Sequence, residues 1–255
     1  MQAAGYDGVY VPLLVDDIHS FLAAFPDPDW AGFSVTIPHK GGALASAAAA
    51  DPVAAQIGAA NTLLRQPDGS LRAFNTDWAA AIGAIERGLG GGEAPLRGRT
   101  VVVVGAGGAG RALAFGAAAR GADVVIANRS VARAAVLAGQ LSLPARSCSL
   151  EDLASGAVRG DVLANTTSVG MTPNDHDTPV PAAVLGGFKL VFDAVYTPRH
   201  TRLLTEAAAA GCAVVTGDEM FVGQAAEQFG LFTGLPPPVE LMRGVVLESL
   251  GEAGK

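Results

Sequence analysis

Thr100-Val-Val-Val-Val104 runs directly into Gly105-Ala-Gly107-Gly-Ala-Gly110, and this stretch decides the fold. Five β-branched residues without alternation read as a strand buried on both faces, the habit of a parallel sheet. The glycines match G-x-G-x-x-G, and an Ala-rich apolar helix follows to Arg120. In that setting the first glycine permits the tight turn. The second lets a pyrophosphate approach the backbone, and the third lets the helix pack against the strand. A helix N-terminus adds N–H donors and a partial positive charge suited to phosphate. Gly105, Ala106, Gly107, Gly108 and Ala109 are therefore the candidate dinucleotide loop. The plainer alternative is a glycine-rich turn without a ligand, because the motif alone is weak in a chain with 33 glycines.

Working toward the C-terminus, Val124–Ala127 is the next strand and Ser130 caps the next helix. A dinucleotide fold usually ends this strand in Asp or Glu when the ribose 2′-hydroxyl is bound. Here the strand ends Ile126-Ala127-Asn128-Arg129-Ser130, and Asp123 stands at its wrong end. Arg129 and Arg133 can clamp a 2′-phosphate, helped by Asn128 and Ser130, which favours NADP over NAD. Strand-like 162–165, 190–194 and 213–215 continue the series, with helices over 201–210 and 219–229. Alternating strands and helices predict a doubly wound parallel sheet, an α/β fold of Rossmann type.

Toward the N-terminus the pattern is less regular. Residues 5–15 read as a strand, and 16–25 as a short helix capped by Asp16 or Asp17. Residues 33–37 read as a second strand, and a helix runs from Pro38 through the alanines to Ala50. Short strands 61–65 and 71–75 are joined by Pro67-Asp68-Gly69. Asp77 caps a helix to Arg87, and Gly88-Leu-Gly-Gly-Gly92 is the best linker. The expected division is a first domain over 1–94 and a nucleotide domain over 95–218. The helices of 219–255 would pack back on the first domain, and the active site would lie in the cleft between the two.

Composition bounds the function. The chain has 255 residues, half of them apolar and 16% charged, with 17 basic and 24 acidic residues for a net charge of −7. That composition excludes a disordered chain and gives no concentrated positive field for nucleic acid. No charge-free run exceeds 13 residues, too short to span a membrane. Cys148 and Cys212 are the only cysteines, so no disulfide framework is expected. No Cys/His spacing suggests a metal, and no Gly-x-Ser-x-Gly elbow suggests a serine hydrolase.

Lysine is scarce, with Lys40, Lys189 and Lys255 against 14 arginines. Lys40 follows Phe33-Ser-Val-Thr-Ile-Pro-His39 just inside a helix start, where the dipole disfavours its charge. Burial would lower its pKa further, toward an acid–base range. Asp77, after a strand, can approach it and hold the ammonium. The ordinary alternatives are a solvated lysine and a helix-capping aspartate. His39 faces away from Lys40 on the helix and is assigned a structural role.

Eight motifs then occur in order. They are Ser34-Val-Thr-Ile-Pro-His-Lys40, Ala60-Asn-Thr62, Asn75-Thr-Asp77, the Gly105 loop, Asn128-Arg-Ser130, Asn165-Thr-Thr-Ser-Val-Gly-Met171, Asp193-Ala-Val-Tyr-Thr-Pro198 and Gly217-Asp-Glu-Met-Phe-Val-Gly-Gln224. This combination resembles the shikimate dehydrogenase family over nearly the whole chain. Gly5-Tyr-Asp-Gly-Val-Tyr-Val-Pro-Leu-Leu-Val-Asp-Asp17 is most similar to the dehydrogenase half of the plant and algal proteins that also carry a 3-dehydroquinate dehydratase.

The resemblance implies reversible NADPH-dependent reduction of 3-dehydroshikimate to shikimate, in aromatic amino acid biosynthesis. It implies Lys40 as acid/base and Asp77 as its partner. Thr36, Asn61, Asp77, Tyr196, Gln224 and Gln228 match positions that bind the substrate. Thr166, Ala194 and Gly217 match positions near the nicotinamide. The family opens with a strand and a Ser-x-Ser segment, whereas the only Ser-x-Ser here is Ser147-Cys-Ser149 in the nucleotide half. The expectation is a first domain short of its opening strand. A quinate/shikimate dehydrogenase and an impaired nucleotide-binding fragment are the alternatives. Fusion to a dehydratase is expected in the full protein. The expected compartment is plastid stroma for a plant or algal source and cytoplasm otherwise.

Overall fold

Short polar caps and strand pairing, more than intrinsic propensity, set the elements of the first half. The computed structural model describes residues 1–141 and 144–251. The chain divides into two compact units. One joins Met1–Thr76 with Val222–Gly244, and the other joins Asp77–Phe221 with the stretch from Val245.

The first unit holds α1 (Ile18–Ala24), β1 (Gly32–Ser34), α2 (Lys40–Ser46), β2 (Ala49–Ala50), α3 (Pro52–Ile57), β3 (Thr62–Arg65) and β4 (Leu71–Phe74). Its sheet has the order β1-β3-β4-β2, with β2 parallel to β4 and the other pairs antiparallel. Phe33, Leu63, Ala43 and Ala73 form its core. Phe21, Phe25 and Trp30 pack against that core as an aromatic chain with ring centroids 4.7–5.7 Å apart.

Two expectations fail here. The alanine helix stops at Ser46, because Ala48 N–H donates to Leu71 C=O (2.9 Å) and Asp51 N–H to Ala73 C=O (2.8 Å). These tertiary bonds pull a good helix sequence into a strand, as context often does. Asp51 then caps α3, with Pro52 at its first position. Residues 5–15 form no strand. There Val9 is 86% and Leu14 100% exposed.

The second unit holds α4 (Asp77–Gly88), β5 (Thr100–Val104), α5 (Gly108–Ala119), β6 (Asp123–Ala127), α6 (Val131–Gln140), β7 (Ala145–Cys148), α7 (Leu150–Ala154), β8 (Val162–Asn165), β9 (Leu190–Asp193), α8 (Arg202–Ala209) and β10 (Ala213–Val215). Its six strands are all parallel in the order β10-β9-β8-β5-β6-β7. The order in which strands are added reverses between β5 and β8, the switch point at which such sheets bind ligands. The α/β class and the doubly wound sheet therefore stand as expected.

The division between the compact units falls at Thr76/Asp77. The reason is packing: Ala81, Ile82 and Ile85 of α4 share a core with Leu113, Val101 and Val103. Gly116 of α5 leaves room for the Ile82 side chain.

The chain ends in α9 (Gly217–Thr233) and α10 (Val239–Ser249). α9 carries Phe232 against Gly32, and Val222–Gly244 clusters with the first unit. No residue of α10 is buried. No helix among the described residues is long and apolar enough to cross a membrane.

Candidate active site

In the first unit, Asn61 is the hub. It immediately precedes β3 and is 2% exposed. Its Oδ1 accepts from Thr76 N–H (2.8 Å) and from Thr62 Oγ1 (2.9 Å). Its Nδ2 donates to Thr76 Oγ1 (2.9 Å) and to Gln224 Oε1 (3.4 Å). The backbone around it draws in two more candidates. Val35 N–H donates to Asn61 C=O at 2.7 Å, which sets Thr36 beside it, and Ala60 N–H donates to Lys40 C=O at 2.9 Å. Lys40 is half-buried as the first residue of α2, and Thr36 is exposed.

Gln224 and Gln228 lie one turn apart on α9. Thr76 Oγ1 donates to Gln224 C=O at 3.2 Å. Gln228 is 4% exposed, and its Nε2 donates to Asn61 C=O (3.1 Å) and Thr62 Oγ1 (2.9 Å). Thr36, Lys40, Asn61, Gln224 and Gln228 are thus brought together. Thr62 and Thr76, which lock the Asn61 amide, were not singled out from the sequence. His39 is structural as expected, since its Nε2 bonds Val15 C=O at 2.8 Å. A separate cleft of about 420 Å³, lined by His19, Ser46, Arg65 and Leu71, contains none of these residues. Its Arg65 is occupied by the carbonyls of Trp30, Gly69 and Phe25.

In the second unit the carboxyl edge of the sheet collects the remaining candidates. Val104, Ala127, Asn165 and Asp193 are in register across β6, β5, β8 and β9, so the loops after them lie side by side. Gly105 has φ +110°, a conformation open mainly to glycine. A side chain at Gly110 would fall 2.3 Å from Gly105 C=O, so the helix can approach only with glycine there. Gly107 has open space where a side chain would stand. The loop is a bare backbone cradle at the start of α5, which fits a pyrophosphate.

Asn128 Nδ2 donates to Ser130 C=O (3.0 Å), and Ser130 Oγ accepts from Arg133 N–H (3.4 Å) to cap α6. Arg129 and Arg133 project from this turn, both exposed. Thr166 Oγ1 donates to Val104 C=O at 2.7 Å and rests on Gly105 and Gly110. A side chain at Gly217 would meet the carbonyls of Val195 (2.6 Å) and Ala194 (2.7 Å), so these backbones touch. The structure therefore groups Gly105–Ala109, Thr166, Ala194 and Gly217 along one edge.

Tyr196 is 39% exposed and stacks on Phe221, with ring centroids 4.6 Å apart. Its loop is pinned by Arg199, whose Nε lies 3.2 Å from Asp218 Oδ1, and Asp218 is 1% exposed. Asp77 is 4% exposed and opens α4, so it is a carboxylate held in a first helical turn. Ser147 and Ser149 have structural duties. Ser147 lies in β7, and Ser149 forms a capping box with Asp152.

The chain is similar to known proteins along most of its length. Residues 1–63 match the shikimate dehydrogenase substrate binding domain, 91–173 the shikimate/quinate 5-dehydrogenase family, and 217–247 the shikimate 5′-dehydrogenase C-terminal domain. The chain is 52% identical, over 94% of its length, to the chloroplastic bifunctional 3-dehydroquinate dehydratase/shikimate dehydrogenase of Arabidopsis thaliana, and spans 41% of that protein. It is 44% identical to the shikimate dehydrogenase (NADP(+)) of Methanosarcina mazei, covering 98% of this chain and 90% of that one. The shikimate 5-dehydrogenase of Thermus thermophilus, solved with NADP(H) and shikimate, superposes with a TM-score of 0.82 at 34% identity, covering 98% and 91% of the two chains. A six-stranded nucleotide sheet, a Thr36–Lys40–Asn61 cluster and full-length relatives of this kind lead to one assignment: the chain belongs to the shikimate dehydrogenase family.

Proposed function

We propose that this protein interconverts 3-dehydroshikimate and shikimate with NADP. The observation that supports the reading is the Asn61 hub, which bonds the Gln224 side chain and lies by backbone bonds next to the segments of Thr36 and Lys40, the only lysine among the site candidates. When bound, the dinucleotide supplies or accepts the hydride. Lys40 Nζ gives a proton to the substrate oxygen during reduction and takes it back during oxidation. Asp77 is assigned as its partner, as the resemblance implies. Asn61, Thr36, Gln224 and Tyr196 bind substrate hydroxyls, with Gln228 acting from behind Asn61. Arg129 and Arg133 take the 2′-phosphate, with Asn128 and Ser130 shaping their turn.

Lys40→Ala is expected to abolish turnover while leaving NADPH affinity nearly unchanged. Loss of NADPH binding in that variant would overturn the role. Absorbance of NADPH, followed with shikimate and with quinate, distinguishes the two substrates, since one matching family is described by both names. We further infer a dehydratase domain on the same polypeptide and a plastid stroma location if the source is plant or algal, and a cytoplasmic enzyme otherwise. The sequence of the intact transcript tests this.

A further inference from the structure

Strands β8 and β9 read Val-Leu-Ala-Asn165 and Leu-Val-Phe-Asp193, apolar until a final polar residue. Asn165 and Asp193 are partners in register, and both have no exposed surface. Asn165 Nδ2 donates to Asp193 Oδ1 at 2.9 Å and to Val169 C=O at 3.3 Å. Asn165 Oδ1 accepts from Thr167 N–H (3.1 Å) and Thr167 Oγ1 (2.7 Å), and Val169 N–H donates back to Thr167 Oγ1 at 3.2 Å. On the other side, Asp193 Oδ1 accepts from Val195 N–H (3.0 Å). Its Oδ2 accepts from Thr201 Oγ1 (2.7 Å), and Thr201 caps α8.

A buried carboxylate is costly unless hydrogen bonds or a cation compensate it. Apolar residues here would continue both strands at lower cost. What the polar pair does instead is connect two loops. One is Thr166–Val169 and the other begins at Ala194. Both lie at the carboxyl edge, and the first rests on the Gly105 turn.

We propose that Asn165 and Asp193 are a positioning pair, fixing the separation of these two loops and so the approach of the nicotinamide ring to the substrate. This rests on the functional reading above and on the resemblance, which matches Thr166 and Ala194 to positions near the nicotinamide. Neither residue touches substrate; each acts through the backbone it holds. Burial pushes the Asp193 carboxyl up to about 6, in keeping with a group whose compensation comes from neutral donors alone.

Asp193→Leu and Asn165→Leu cut the connection. Asp193→Asn preserves it, because the Thr201 hydroxyl can turn to accept from the new amide. Hydrogen exchange should speed up by about tenfold or more in 166–169 and 194–196 of the Leu variants, and stay unchanged at the Gly105 loop. Affinity for 2′,5′-ADP, which lacks the nicotinamide, should hold within about twofold, since its phosphate and ribose contacts are untouched. Turnover should fall by up to about a hundredfold, as misplacement of about 1 Å can produce. KM for NADPH should change little, and the isotope effect with C4-dideuterated NADPH should rise. Asp193→Asn should restore most of the turnover.

An unchanged kcat and isotope effect despite faster exchange would overturn the proposal, as would a parallel loss of 2′,5′-ADP affinity. If the Leu variants do not fold, Thr201→Val removes one bond from Asp193 and must act in the same direction. Absence of turnover in the unsubstituted protein would refute the functional reading instead, while the exchange measurement would still decide the loop coupling.

Discussion

Gly107 and Gly110 stand three residues apart and do opposite jobs. A side chain at Gly110 would overlap backbone, whereas one at Gly107 meets only open space at an ordinary φ of −84°. Gly110→Ala is therefore expected to destabilise the fold by about 1–3 kcal/mol, the usual cost of overpacking. Gly107→Ala should leave the melting temperature nearly unchanged and weaken NADPH binding about tenfold or more, because the methyl occupies the pyrophosphate's approach. Thermal melts and NADPH titrations of both variants separate the two effects. Arg129 and Arg133 make a second prediction at this scale. Replacing both with Ala should lower kcat/KM for NADP about tenfold or more and leave that for NAD nearly constant, since charge-assisted bonds to a 2′-phosphate are lost. Equal losses with both cofactors would assign the arginines to another role.

Elements are positioned by their ends. α9 begins at Gly217 against the carbonyls of Ala194 and Val195, and its first turn carries Asp218 to Arg199. Gly217→Ala would force backbone atoms apart, so the start of α9 must slide. Expected consequences are a loss of about 1–3 kcal/mol and a raised KM for NADPH, measured by denaturant unfolding and steady-state kinetics. Strand β2 teaches the same lesson from the opposite side. Ala47–Ala50 has the best helix formers in the chain, yet two backbone bonds to β4 make Ala49–Ala50 a strand. Propensity differences amount to tenths of a kcal/mol per residue, and sheet pairing outweighs them.

Stability of the whole molecule should carry the mark of Asp193. Its carboxyl titrates near 6 when folded and near 3.8 when unfolded. Between these values the folded state binds more protons, so this contribution is full below about 3.8 and is lost as pH rises through about 6. The difference of about two units corresponds to roughly 3 kcal/mol. Denaturant midpoints of the native protein and Asp193→Asn, compared from pH 4 to 8, should converge or diverge across that window. A constant difference would contradict the assignment.

Much of the molecule was legible because its cues are local. The β-branched run, the three glycines with distinct steric duties, and Ser130 as a helix cap follow from residue chemistry within a few positions. So does the absence of an acid after β6, and the scarcity of lysine and a place at a helix start mark Lys40 as a candidate. Other features depend on partners distant in sequence. The unit boundary at Asp77 is set by Ile82 and Ile85 packing beside Leu113. The Asn61 hub needs Gln224 and Gln228, which are more than 160 residues away. The Asn165–Asp193 bond needs two strands to lie in register. What the sequence determined by itself was the kind of fold and the kinds of chemistry available. Only the tertiary structure decided which polar groups meet, because burial and hydrogen-bond geometry are properties of distant segments brought into contact.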